Sequence, residues 1–141
     1  MNILEINSFH PDASACLVID GQLVGAVAEE RLGKRVKHTN AFPLEAIRWL
    51  LGSAGLRLGE IDYVAVARDP RANLAAKGRS ILGNPSEGLR KVRTFRKRQE
   101  NLGASLETLP EWLGEDPATM RYERHAVEHH LAHIASAYYL S

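Results

Sequence analysis

The dipeptide Asp20-Gly21 constrains this chain more than any other feature, because it divides two short runs of strand-forming residues. Residues 13–20 lead into it and residues 22–29 lead away. Asp and Gly both tolerate positive φ, which the two-residue hairpin turn that matches strand twist requires. Ahead of them, residues 2–8 have the same strand-forming character. Three strands therefore come before any helical periodicity, and the expectation is an antiparallel meander at the start of the domain.

Such an opening is unusual for a dinucleotide-binding α/β domain and usual for a ribonuclease-H-like unit. Residues 30–40 follow as a charged, irregular stretch. Pro43 suits the first turn of a helix, Ala46, Ile47, Leu50, Leu51 and Ala54 recur at helical spacing, and Gly55 can end it. Residues 61–67 read as a buried parallel strand. From 70 to about 118 the composition changes, with Gly78, Gly83-Asn84-Pro85 and Gly103 as punctuation, which suggests a partly helical insertion. A short strand over 121–128 and a helix over 129–140 complete the pattern.

Composition narrows the function classes. The chain has 141 residues, 45% hydrophobic and 25% charged, as expected of one globular domain. Its single cysteine, Cys16, rules out an internal disulfide framework and lies in an apolar run, where a buried and inert thiol is expected. No apolar stretch approaches the ~20 residues that span a bilayer. The first residues lack a basic region and a cleavage site, so a cytoplasmic location is expected. Charge is uneven: residues 77–98 hold eight Lys and Arg against Glu87 alone, in a chain of net charge +1. That asymmetry points to an anionic partner or to a solvated helix face.

Four constellations could carry chemistry. His129 and His133 stand four residues apart, a spacing that puts two imidazoles on one side of a helix, within reach of one metal ion. The inner glutamate of a His-Glu-x-x-His protease is missing, since Leu131-Ala132 follow His130. The turn Phe9-His10-Pro11-Asp12-Ala13-Ser14 offers backbone N–H groups, the Asp12 carboxylate and the Ser14 hydroxyl as a cradle for phosphate, with His10 as a possible proton acceptor. Pro11-Asp12 also suits an ordinary turn. Glu29-Glu30-Arg31 precedes Lys34, Arg35, Lys37 and His38, where a lysine could hold a substrate oxygen or simply face solvent. The basic segment 77–98 has Phe95 as its one aromatic, a poor basis for reading nucleic acid.

In order and spacing these residues resemble one family. Residues Ile3 to His10, Asp12 to Val18, Ala28-Glu29-Glu30-Arg31, Lys37-His38, Phe42-Pro43 and Val127 to Tyr138 are similar to the N-terminal part of the nodulation and antibiotic O-carbamoyltransferases. The likeness is thin between residues 71 and 119. It extends more distantly to the tRNA threonylcarbamoyl-transfer enzymes.

The resemblance implies an α/β, ribonuclease-H-like unit of the actin-like ATPase superfamily, with residues 1–141 as the N-terminal part of a carbamoyltransferase domain. It implies that ATP and carbamoyl phosphate give a carbamoyl-adenylate, whose carbamoyl group passes to the hydroxyl of a small molecule. By resemblance, His129 and His133 become ligands of a divalent metal, iron above others. His10 becomes the base near the acceptor hydroxyl, and Lys37 a contact to carbamoyl or phosphate oxygens beside Asp12 and Ser14. Family members are several times longer. The chain is therefore expected to be incomplete, a fragment or one subunit of a split enzyme, inactive without the remainder in cis or in trans.

Two other classes stay open. One is a non-catalytic binding module that uses residues 77–98 to hold nucleic acid or an acidic protein. The other is a small metal hydrolase, with Asp12 as its third ligand.

Overall fold

The first three strands form where the sequence has its runs of strand-forming residues. The computed structural model describes residues 1–9, 11–32, 38–66, 78–79, 82–83 and 85–128. β1 (Asn2–Asn7) pairs antiparallel with β2 (Ser14–Ile19), which pairs antiparallel with β3 (Gln22–Ala28). At the β2–β3 turn, Asp20 and Gly21 have φ of 49° and 79°, so both central residues take the positive φ expected of them. Alternation sends Leu4, Ile6, Ala15 and Leu17 to one face, where all are buried. Glu5, Asn7, Ser14 and Cys16 fall on the other.

The segment expected to be irregular begins with one helical turn, α1 (Glu29–Leu32). It has no apolar periodicity, so the sequence pattern gave no sign of it. Its start is set from outside, by a hydrogen bond from the Glu29 N–H to the Ala13 carbonyl at 2.8 Å. α2 (Leu44–Ala54) follows Pro43 and buries Ala46, Ile47, Leu50 and Leu51. Gly55 ends it at φ 66°, a left-handed position that glycine occupies without a Cβ penalty.

β4 (Tyr63–Val66) then lies parallel to β1, and β5 (Glu123–Ala126) lies parallel to β4. The sheet order is β3-β2-β1-β4-β5. Three antiparallel strands followed by two parallel ones make the ribonuclease-H-like sheet, as the opening of the sequence implied. Both later strands are shorter than the runs that suggested them.

Parallel strands need a crossover, and between β4 and β5 this includes α3 (Pro85–Trp112). Its two halves differ. Leu102, Leu106 and Leu109 recur at helical spacing and join the core beside Leu4, Ile47, Leu50 and Val64. In the first half, Leu89 is 64% exposed and Val92 48% exposed. Pro110 has no N–H to give the Leu106 carbonyl four residues back. The Tyr122 hydroxyl donates to that carbonyl instead, at 3.3 Å. The helix expected over 129–140 lies outside the described residues.

Candidate functional site

Because β1, β4 and β5 are parallel, their carboxyl ends share one edge of the sheet, with Ile6 opposite Val66 and Val66 opposite Ala126. In open α/β sheets ligands bind in the crevice outside such strand ends. The β1–β2 turn occupies this edge. Two of its non-glycine residues have positive φ, Phe9 at 54° and Asp12 at 70°. Conformations of that kind cost of order 1–3 kcal/mol each and persist where their surroundings hold them.

Residues 38–42 supply the hold. The Phe9 N–H donates to the Ala41 carbonyl at 3.2 Å, and the Ala13 N–H donates to the Thr39 carbonyl at 3.3 Å. Asn7 closes the turn from within, its Nδ2 donating to the Asp12 carbonyl at 3.3 Å. Side chains join the two segments as well. His38, itself at φ 57°, sets its Nδ1 2.8 Å from Asp12 Oδ1. Asp and His are among the non-glycine types best tolerated in this left-handed region.

The two glutamates at the start of α1 are braces. Glu30 Oε2 accepts the backbone N–H of His38 at 3.0 Å. Glu29 accepts the N–H groups of Glu45 and Ala46, at 3.2 and 2.9 Å. α2 has no side-chain cap at Pro43, so a carboxylate from a distant segment satisfies two of its orphan donors. The same carboxylate sets negative charge at the positive end of the helix dipole.

Of the site residues expected from sequence, Asp12 and Ser14 are brought together here. Asp12 is on the turn and paired with His38, and Ser14 begins β2 opposite Asn7. His10, Lys37, His129 and His133 lie outside the described residues. Among the described residues no group of three or more His, Cys, Asp and Glu side chains is placed to hold a metal. The Asp12–His38 pair and the bracing by Glu29 and Glu30 were not foreseen. The one available signal was the density of charge between residues 29 and 38.

On the sheet face away from the helices, Cys16 Sγ donates to Glu5 Oε2 at 3.7 Å. Burial raises the Glu5 carboxyl above its usual range, and the thiol's hydrogen bond partly offsets this. The Cys16 thiol is pushed up to about 12, chiefly by burial and then by the Glu5 charge. A thiol at that value has almost no thiolate at neutral pH and is no nucleophile. In the basic segment, Lys91 pairs with Glu87 at 3.0 Å and Arg96 with Glu100 at 2.9 Å, each one helical turn apart. Pairs of this kind belong to a solvated helix face.

Over residues 2–141 the chain matches the family described as Carbamoyltransferase N-terminus. A protein of Synechocystis sp. is 32% identical over 148 aligned positions, covering 99% of this chain and 23% of that protein. Nodulation protein NolNO of Sinorhizobium fredii is 48% identical over 59 residues, 42% of this chain and 8% of its own length. A 19.2 kDa protein of Rhizobium etli is 35% identical over 91 residues, 64% of this chain and 53% of that one. Among solved structures, YeaZ from Pseudomonas aeruginosa is 18% identical with a TM-score of 0.47, covering 97% of this chain and 48% of YeaZ. The chain thus spans less than two thirds of the length of each of these proteins. With the match running over residues 2–141, the chain belongs to the carbamoyltransferase N-terminal family.

Proposed function

We propose that the chain is the N-terminal portion of an ATP-dependent O-carbamoyltransferase and that its part of the site lies at the carboxyl edge of β1. One observation carries this reading beyond the family match. The β1–β2 turn, which includes position 10, is clasped to the segment that begins one residue after Lys37, at the sheet edge where ligands bind in open α/β folds. In this reading ATP and carbamoyl phosphate give a carbamoyl-adenylate, and the carbamoyl group passes to the hydroxyl of a small molecule. His10 accepts the hydroxyl proton as it attacks. Lys37 meets the carbamoyl or phosphate oxygens as a mobile point charge, with Asp12 on the β1–β2 turn and Ser14 at the start of β2.

His129 and His133 would hold a divalent metal, iron above others, which when bound supplies Lewis acidity toward phosphate and carbonyl oxygens. What supports this is their spacing, and the departure of β5 from the sheet at the same edge as the β1–β2 turn. The remainder of the enzyme, in cis or in trans, completes the site, so the chain alone does not turn over. A cytoplasmic location belongs to the same proposal.

Two titrations of the chain test the reading. Cobalt(II) serves as the spectroscopic probe of the histidine pair, and its visible bands should be lost in His129→Ala and in His133→Ala. Carbamoyl phosphate should bind the chain and bind Lys37→Ala at least roughly fivefold more weakly, the share of one charge-assisted contact. Cobalt bands indifferent to both histidines, together with no binding of carbamoyl phosphate, sink the proposal.

A further inference from the structure

We propose that Asp12 and His38 select the carbamoyl group: Asp12 holds the Nδ1 proton of His38, and the ring offers its Nε2 lone pair to the amino group of a carbamoyl ligand. The inference rests on the carbamoyl-transfer reading above and names what that site recognises. A neutral imidazole has one donor nitrogen and one acceptor nitrogen. Which is which follows from the hydrogen bond the other makes. Asp12 Oδ1 lies 2.8 Å from Nδ1, and a carboxylate only accepts, so the proton belongs on Nδ1 and the lone pair on Nε2.

The main chain that carries the ring is held as well. The His38 backbone N–H is held by Glu30 at 3.0 Å. The next residue, Thr39, is tied to the β1–β2 turn through Ala13. The His38 side chain is 72% exposed, so the ring is open to a ligand and not packed in the core.

A carbamoyl group differs from an acetyl group by carrying an amino group in place of a methyl. Its oxygens call for donors, the role given above to Lys37. The amino group needs an acceptor, which no lysine or arginine can be. His38, with Asp12 as its positioning residue, supplies one. A site that holds an acceptor for an N–H rejects the isostere that lacks it, because the acceptor is then stripped of water and left unpaired.

The test compares phosphonoacetamide, a stable analogue of carbamoyl phosphate, with phosphonoacetone, its methyl-ketone isostere, and with inorganic phosphate. Each is titrated into the full chain while the imidazole nitrogen resonances of His38 are followed. The expected result is a proton on Nδ1 and an amide preferred about two- to tenfold over the ketone, the net share of one hydrogen bond. Asp12→Ala should bring the two ligands to equal affinity. Adding His38→Gln to Asp12→Ala should restore the preference, since a glutamine oxygen accepts without a carboxylate to orient it. A contact that merely held the loops together would give no such rescue. Equal affinities in the unmodified chain, or a proton on Nε2, overturn the inference and leave the carbamoyl-transfer reading standing. Failure of all three ligands to bind overturns that reading and the inference with it.

Discussion

Tyr122 donates its hydroxyl hydrogen to the Leu106 carbonyl at 3.3 Å, replacing the helical donor that Pro110 removes. The contact joins the end of the crossover helix to the approach to β5, and so helps set where that edge strand enters the sheet. Tyr122→Phe should cost about 0.5–1.5 kcal/mol of unfolding free energy in urea, the net worth of one such bond. In a Pro110→Ala background, where residue 110 regains an N–H, the same substitution should cost clearly less. Equal costs in both backgrounds would show that the hydroxyl does not stand in for the missing helical donor.

Glu29 acts as the N-cap of a helix to which it does not belong. Glu29→Ala leaves the N–H groups of Glu45 and Ala46 without their carboxylate. Loss of a good cap costs about 0.5–2 kcal/mol. Glu29→Gln keeps one of the two accepting oxygens and loses the other together with the charge, so its cost should be smaller than that of alanine, and the charge-dependent share should shrink with added salt. Urea melts at two salt concentrations check both statements. A glutamine variant as unstable as the alanine variant would mean that a single remaining acceptor oxygen contributes nothing at this cap.

The two halves of α3 should respond differently to the same substitution. Leu109 is fully buried among α2 and sheet residues, and Leu109→Ala should cost about 2–5 kcal/mol. Leu89 is 64% exposed, and Leu89→Ala should stay within about 0.5 kcal/mol of the unmodified chain. Chemical denaturation of the pair decides this. A large loss at Leu89 would show that the first half of the helix is packed in solution.

Burial holds the Glu5 carboxyl above its ordinary range, so the folded chain favours its protonated form. The stability this brings is complete below the ordinary glutamate range and is lost as pH rises through the raised value. Glu5→Gln is neutral throughout, so its Tm should gain on the unmodified chain as pH rises from the ordinary glutamate range. A gap that stays flat over that rise would mean that Glu5 ionises as freely in the fold as out of it. The neighbouring Cys16 thiol, raised to about 12, should resist iodoacetamide at mildly alkaline pH in the folded chain and react fully in urea.

The succession of strands and helix α2 could be read from sequence because their causes are local. Runs of strand-forming residues marked β1, β2 and β3, two residues able to take positive φ marked the hairpin, and a helical stripe between Pro43 and Gly55 marked α2. The family resemblance was carried by β1 and β2 and by residues beyond them, among them Lys37-His38 and Val127 to Tyr138. What the site is made of was decided elsewhere. Asp12 meets His38 across 26 positions and Glu29 caps α2 across 16, contacts that exist only once β1 and β2 have paired and the 38–42 segment has folded back onto their turn. No local pattern encodes a hydrogen bond between two polar residues so far apart. Their geometry follows from packing the helices on the sheet, because burying Leu4, Leu17, Ile47 and Leu50 together fixes where the polar loops at the strand ends must lie.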